Sequence, residues 1–346
     1  MKILITGNHD SNYNRTKILL TGLQQISGIQ ITNYPINKEF TKKKFKQLAT
    51  ETDIVYLPAF THNNVPYIRN LTKKPIVFDP LISKYMTKVF DYKQVWRYSP
   101  RALKNYFKDS RAFKRSNLLF SDTRAHKKYL MDTFGIAPSH IEVLYIGVDT
   151  AEFYPLAKNS VDNDIFNVGF YGGFIPLQGV KQIIETAKIL QSEKNIKFTL
   201  DGNGFEYNEV KSLALKYNLT NIEFKGWIPY TNLNEEINKF DICLGIFGNT
   251  IKTNVVIPNK IYHYAAAQKC IITKNTPAIT EIFTNNLNIV LSNGTPSDIA
   301  EKIIYLKNNK AIAAAIAAKG RSLISENYNA VCIAEQFIKV ITNELL

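Results

Sequence analysis

Several short stretches carry the residue types that could hold a charged ligand. In "VGFYGGFIPLQGV" (168–180) an apolar run ends at Gly172 and Gly173, and Gly179 opens an amphipathic helix. Paired glycines at a strand end leave backbone N–H groups exposed, and a helix N-terminus adds a positive dipole, so the pair suits a diphosphate. "LDGNG" (200–204), with Asn203, and "FKGWIP" (224–229), with Trp227 and Ile228, repeat the arrangement. In "VVIPNKIYHYAAAQK" (255–269) the spacing predicts an extended turn at Pro258, a helix capped by the Asn259 side chain, and Lys260 in its first turn. A helix start favours anions, so Lys260 is best accommodated when an anion lies between it and the backbone amides. His263 shares a helix face with Lys260 and is placed to hydrogen-bond a ribose hydroxyl. Lys252 brackets the same stretch from the other side.

Neither a G-K-[S/T] loop nor Gly-x-Gly-x-x-Gly is present, which excludes a P-loop and a dinucleotide fingerprint. In the first half, Gly7 and Asn8 follow an opening apolar run, where a glycine lets a phosphate or sugar approach the backbone. Arg15 comes at the start of the next helix, expected to face the ligand cleft. Cys243, Cys270 and Cys332 are widely spaced within apolar stretches and read as buried thiols, with no disulfide framework or zinc spacing.

These residues need elements to position them. Strand-like and helix-like runs alternate along all 346 residues, the pattern of parallel sheets with helices on both faces. A polar, irregular stretch at 150–165, containing Pro155, reads as a linker, and the alternation restarts beyond it. The expected architecture is α/β: two Rossmann-like, doubly wound domains, 1–155 and 165–325, facing a cleft at the carboxyl ends of their strands. A last helix at 326–346 is expected to pack back on the first domain. Helices are expected on both sides of Ser99-Pro100 and near 277–283, and a loop from 59 to about Pro66.

The net charge of +14 is uneven, because residues 1–150 hold 24 Lys and Arg against 11 Asp and Glu. Between Lys84 and Lys128 there are thirteen basic and three acidic residues, interleaved with Trp96, Tyr98, Tyr106, Phe107 and Phe113. That mixture suits an anionic membrane surface. No recognition-helix or stacking motif points to nucleic acid. The opening apolar run is too short for a signal peptide, so the expected location is cytoplasmic, on the inner face of the membrane.

The chain resembles the retaining glycosyltransferases of GT-B fold in family four. The resemblance rests on "YGGFIPLQGV", "LDGNG", "FKGWIP" and "VIPNKIYHYAAAQKCIITKNTPAITEI", in that order, with "LLFSDTRAHKKYLMDTFGI" and "VLYIGVDTAEFYP" in the first half. It implies an acceptor-binding first domain and a second domain holding a nucleotide-diphosphate sugar as substrate, with no cofactor or metal. Family members carry an arginine and a lysine where this chain has Gly173 and Gln178, and two glutamates where it has Val255 and His263. The resemblance to a subgroup with an IPNK-type loop implies that Lys260, with Lys252, replaces the missing cations. Asp79 falls near the family's N-domain histidine, where a carboxylate takes the acceptor proton or holds a donor hydroxyl. Asp162-Asn163-Asp164 matches the metal-holding Asp-x-Asp of other sugar-nucleotide enzymes, but it precedes an apolar strand instead of ending one, so no metal role is assigned.

The resemblance implies hexosyl transfer with retention to a glycan acceptor, lipid-linked and in cell-envelope polysaccharide or lipopolysaccharide synthesis. The diphosphate leaves with electrostatic help while domain closure excludes water. The alternatives are a non-catalytic GT-B nucleotide- or partner-binding protein, and a nucleotide-sugar epimerase or hydrolase.

Overall fold

The computed structural model describes residues 1–157 and 165–346. Asp162, Asn163 and Asp164 lie outside the described residues. The chain divides into two compact units, Met1–Gly147 with Tyr328–Leu346, and Val148–Asn327.

The first unit contains β1 (Lys2–Gly7), α1 (Asn14–Leu23), β2 (Gln30–Pro35), α2 (Lys42–Thr50), β3 (Ile54–Leu57), α3 (Asn64–Arg69), β4 (Ile76–Phe78), α4 (Pro100–Arg115), β5 (Leu118–Ser121), α5 (Arg124–Phe134) and β6 (Ile141–Val143). The second contains β7 (Phe166–Tyr171), α6 (Val180–Ile189), β8 (Ile196–Asp201), α7 (Tyr207–Lys216), β9 (Ile222–Gly226), α8 (Leu233–Asn238), β10 (Ile242–Leu244), α9 (Ile251–Val255), α10 (Asn259–Ala266), β11 (Cys270–Lys274), β12 (Val290–Ser292), α11 (Pro296–Asn308) and α12 (Lys310–Asn327). A final helix, α13 (Ala330–Leu345), rejoins the first unit.

Both sheets are six-stranded and parallel, in the orders β2-β1-β3-β4-β5-β6 and β12-β11-β10-β7-β8-β9. The central strands are apolar along their length because helices cover both faces. Ile3, Leu4, Ile5, Val55, Val77, Val168, Phe170 and Ile272 are all buried. In each sheet the strand order reverses once, between β1 and β3 and between β7 and β10. Ligands of open parallel sheets bind at the carboxyl ends of strands flanking such a reversal.

Several elements differ from the expectations. The long helix expected directly before Pro100 is not formed: a single π-helical segment at Met86–Asp91 is followed by irregular chain, in which Lys93 has φ 51°. The helical stretch instead starts at Pro100, where Ser99 Oγ accepts from Ala102 N. The expected loop around Pro66 forms α3, because Val65 and Ile68 can both be buried on one side. The segment near 277–283 is a single 3₁₀ turn, Ile279–Glu281. The stretch before Pro258 coils into α9, capped reciprocally by Thr250 and Thr253.

The stretch expected as a loose linker is tied down where it is described. Phe153 is buried against His263, Tyr154 N donates to Asn234 Oδ1 (3.1 Å), and Leu156 N donates to Asn238 Oδ1 (2.9 Å).

Candidate functional site

The reversal between β7 and β10 brings Gly172 and Lys260 together. Gly172 follows β7 with φ 147° and hydrogen-bonds to the end of β8 through Asp201 O (2.9 Å). A Cβ on Gly172 would stand 2.9 Å from Lys260 Nζ, so only glycine leaves the ammonium its place. A Cβ on Gly202 would stand 1.9 Å from Gly172 O, which locks the two strand-end loops face to face. Phe174 N donates to Asn203 O, and Gly204 N to Asn203 Oδ1, so Asn203 serves the loop's own shape. An added Cβ at Gly173 would meet Ile175 Cγ2 at 3.9 Å and Asn203 O at 4.0 Å, ordinary contact distances that leave the position tolerant of a side chain.

Lys260 is 3% exposed, and its Nζ sits 3.4 Å from the centroid of the Phe170 ring. Among the described residues its ammonium has no hydrogen-bond partner. Burial holds its pKa well below the ordinary lysine range. A buried amine without an acceptor is costly, and the cost is relieved by an anion arriving from outside.

The expected cap is absent. Asn259 is already helical, Pro258 occupies the cap position, and no side chain caps α10. His263 is also not placed for a ribose: it is 2% exposed, stacked on Phe153 at 3.8 Å, with Nδ1 2.5 Å from the Tyr171 hydroxyl. The residue type suits that role, but Phe153 covers the ring, and sequence spacing gives no sign of a cover from a residue 110 positions earlier. Lys252 is buried within α9.

Gln178 lies in the turn before α6, buried, and its Oε1 has no hydrogen-bond partner among the described residues. Its backbone oxygen accepts from Phe247 N (3.0 Å), which ties the turn to the loop after β10. Trp227 is 73% exposed at the end of β9 and Ile228 is half-buried beside it.

One residue is missing from the sequence-derived set. Asp201 ends β8, is buried, and neither carboxyl oxygen has a hydrogen-bond partner among the described residues. Burial first, and Glu236 next, push its pKa up to about 7. The "LDGNG" pattern pointed at the loop, but nothing in it marks the aspartate as uncharged.

In the first unit the expected residues find each other. Arg15 Nε donates to Asp79 Oδ2 at 2.7 Å, Arg15 Nη1 donates to Tyr145 O at 2.7 Å, and Tyr56 OH donates to Asp79 Oδ2 at 3.0 Å. Both ends of the pair are 1% exposed. Arg15 and Asp79 are thus held to each other as a buried ion pair inside the first unit, with Arg15 Nη2 left without a hydrogen-bond partner among the described residues. Gly7, with φ 108°, packs against Thr61, and Asn8 N donates to Asn64 Oδ1 (3.0 Å), closing the β1 loop onto the residues that follow β3.

Two Rossmann-like units, each built on a six-stranded parallel sheet, define the GT-B fold. Residues 181–339, just under half of the chain, match the family model described as glycosyl transferase-like. The chain is 25% identical over 188 residues to an uncharacterized glycosyltransferase of Methanocaldococcus jannaschii, an alignment covering 52% of this chain and 47% of that protein. The chain therefore spans about half the length of that curated relative. Its fold is similar to Anabaena HepE crystallised with UDP (TM-score 0.75, 14% identity, 99% of this chain and 100% of that one). It is equally similar to sucrose-phosphate synthase from Thermosynechococcus elongatus (TM-score 0.76, 12% identity, 99% and 98%).

Proposed function

We propose that the chain is a retaining glycosyltransferase of family four that moves a sugar from a nucleotide-diphosphate sugar to a glycan acceptor. The observation that carries this reading is the buried, unpartnered Lys260 ammonium beside Gly172 at the reversal of the second sheet. In the proposed site the diphosphate lies against Lys260 and the backbone at Gly173, and the nucleoside runs along the loop of Asn203, Trp227 and Ile228. The bond between the anomeric carbon and the phosphate oxygen breaks. The acceptor hydroxyl then bonds to the same face of that carbon, and its proton passes to the departing phosphate. Lys260 stabilises the charge that develops on the leaving group. Asp201, neutral over part of the physiological range, is able to donate a hydrogen bond at the same sheet edge. UDP is the first nucleotide to try, because HepE was crystallised with it.

The basic first unit supports an acceptor carried on lipid and an enzyme working at the inner membrane face, in cell-envelope glycan synthesis. Among the described residues no helix is long and apolar enough to cross a membrane.

The test is a thermal-shift panel of UDP, GDP, CDP, TDP and their sugars on the wild type and Lys260→Ala. One base is expected to raise the melting temperature, and the shift to vanish in the variant. With the matching sugar and an acceptor, Lys260→Ala is expected to lower transfer roughly 10²–10³-fold. No shift with any nucleotide would sink the donor reading in favour of a non-catalytic protein. An inverted anomer in the product's NMR spectrum would sink retention alone.

A further inference from the structure

The helix α4 buries one stripe, Ala102, Asp109, Ala112 and Phe113, and leaves the opposite side uncovered. On that side Leu103 and Phe107 stand one turn apart, 55% and 63% exposed. Just before the helix, Trp96 and Tyr98 are also exposed, 71% and 69%, with their rings 5.4 Å apart. The remaining outward positions of α4 are cationic: Arg101, Lys104, Lys108, Arg111, Lys114 and Arg115. The three acids between Lys84 and Lys128 offer no counter-charge at the surface, because Asp91, Asp109 and Asp122 are all buried. Asp109 is held inside by Ser83 Oγ and Tyr85 N, both at 2.8 Å.

Beside this face, between α3 and α4, opens a cavity of about 350 Å³. Asn63, Tyr67 and Asn70 line it from the α3 side, and Lys108 and Arg111 from α4. His62 forms part of its wall, with Nε2–H donating to Ile82 O (2.9 Å). Burial pushes the His62 pKa to about 3, so the imidazole stays neutral and the positive charge of the cavity comes from Lys108 and Arg111. The volume is at the lower end for small-molecule sites, room for a phosphate ester with a short polyol. Two cations with amide and phenol hydroxyl donors suit phosphate oxygens.

We propose that the cavity between α3 and α4 takes the phosphate of an anionic phospholipid head group, while Trp96, Tyr98, Leu103 and Phe107 enter the interface of the same bilayer. Exposed aromatic and aliphatic side chains supply the burial, and the surrounding cations supply the attraction. The inference deepens the membrane part of the reading above and is independent of the donor chemistry at Lys260.

The experiment is co-flotation of the full chain with vesicles of phosphatidylcholine alone and of phosphatidylcholine with phosphatidylglycerol. Three proteins are compared: wild type, K108A/R111A, and K104A/K114A, which removes the same charge outside the cavity. Binding only to the anionic vesicles is expected. The outer pair is expected to weaken it by about 30-fold, from the usual contribution of two surface cations. The cavity pair is expected to weaken it at least about tenfold further, since it also loses the seated phosphate. In a Trp227→Phe background, Trp96 emission is expected to shift to the blue on anionic vesicles. Equal losses for the two pairs would overturn the cavity, leaving only diffuse attraction. No binding to anionic vesicles, or saturable binding of free glycerol phosphate without vesicle binding, would overturn the lipid assignment. The nucleotide-induced thermal shift, read on the wild type, K108A/R111A and K104A/K114A, reports the donor site separately and checks folding.

Discussion

Lys260 is placed where a lysine harms the empty protein. Its pKa is depressed in the fold, so between the folded value and about 10.4 the unfolded chain carries a proton that the folded chain does not. The penalty is absent above that pH and grows as pH falls towards the folded value. Lys260→Met is therefore expected to stabilise the unliganded protein at pH 7 by about 1–4 kcal/mol while removing nucleotide binding. The gain is expected to shrink by pH 10. Urea midpoints at the two pH values check this, and a loss of stability at pH 7 would count against a costly buried amine. This residue was legible in sequence because a cation at a helix start conflicts with the dipole, and the conflict asked for a resolution. Arg15 and Asp79 were not legible. Each sits beside a strand end, as a ligand contact would, and only the fold reveals that two residues 64 positions apart neutralise each other.

At the scale of elements, the segment carrying Phe153 decides how much of the second unit's site is open. The ring lies parallel to His263 at 3.8 Å, and the backbone just after it is pinned to α8 by Asn234 and Asn238. Phe153→Ala is expected to destabilise this unit by about 3–5 kcal/mol, as for other buried aromatic truncations, and to make His263 titratable by NMR. A silent histidine with unchanged stability would mean that the segment does not cover it. The strands were read correctly because runs such as 54–57 are buried throughout, which a doubly covered parallel strand sustains. The segment before Pro100 misled because aromatic and basic residues at helical spacing also describe irregular chain wrapped on a surface. The short helices α3 and α9 gave too few turns for periodicity to register.

For the whole molecule, the alternation of strands and helices was enough to specify two parallel sheets, since each strand-to-strand crossover demands an intervening element. The helix α13 packs into the first unit: its Phe337 ring meets Tyr56 at 5.4 Å and Phe120 at 5.5 Å. A Cβ on Gly22 of α1 would stand 1.9 Å from Ala330 O, so the two helices approach backbone to backbone. Removing residues 328–346 is expected to abolish the melting transition of the first unit and spare that of Val148–Asn327. Calorimetry reads the two separately, and survival of both transitions would disprove the dependence.

The return of α13 also orders events in time. The first unit leaves the ribosome with its sheet complete but lacking the helix that covers Tyr56, Phe120 and the glycine face of α1. Roughly 200 residues separate Gly147 from the end of that helix, which at translation speeds of about 5–20 residues per second is a delay of ~10–40 s. The second unit is made within that interval and has every element it needs once Asn327 has emerged, before α13 is complete. Of the two units, the one synthesised earlier is the one that must wait, with an apolar surface bare, and that surface is where a chaperone would be met.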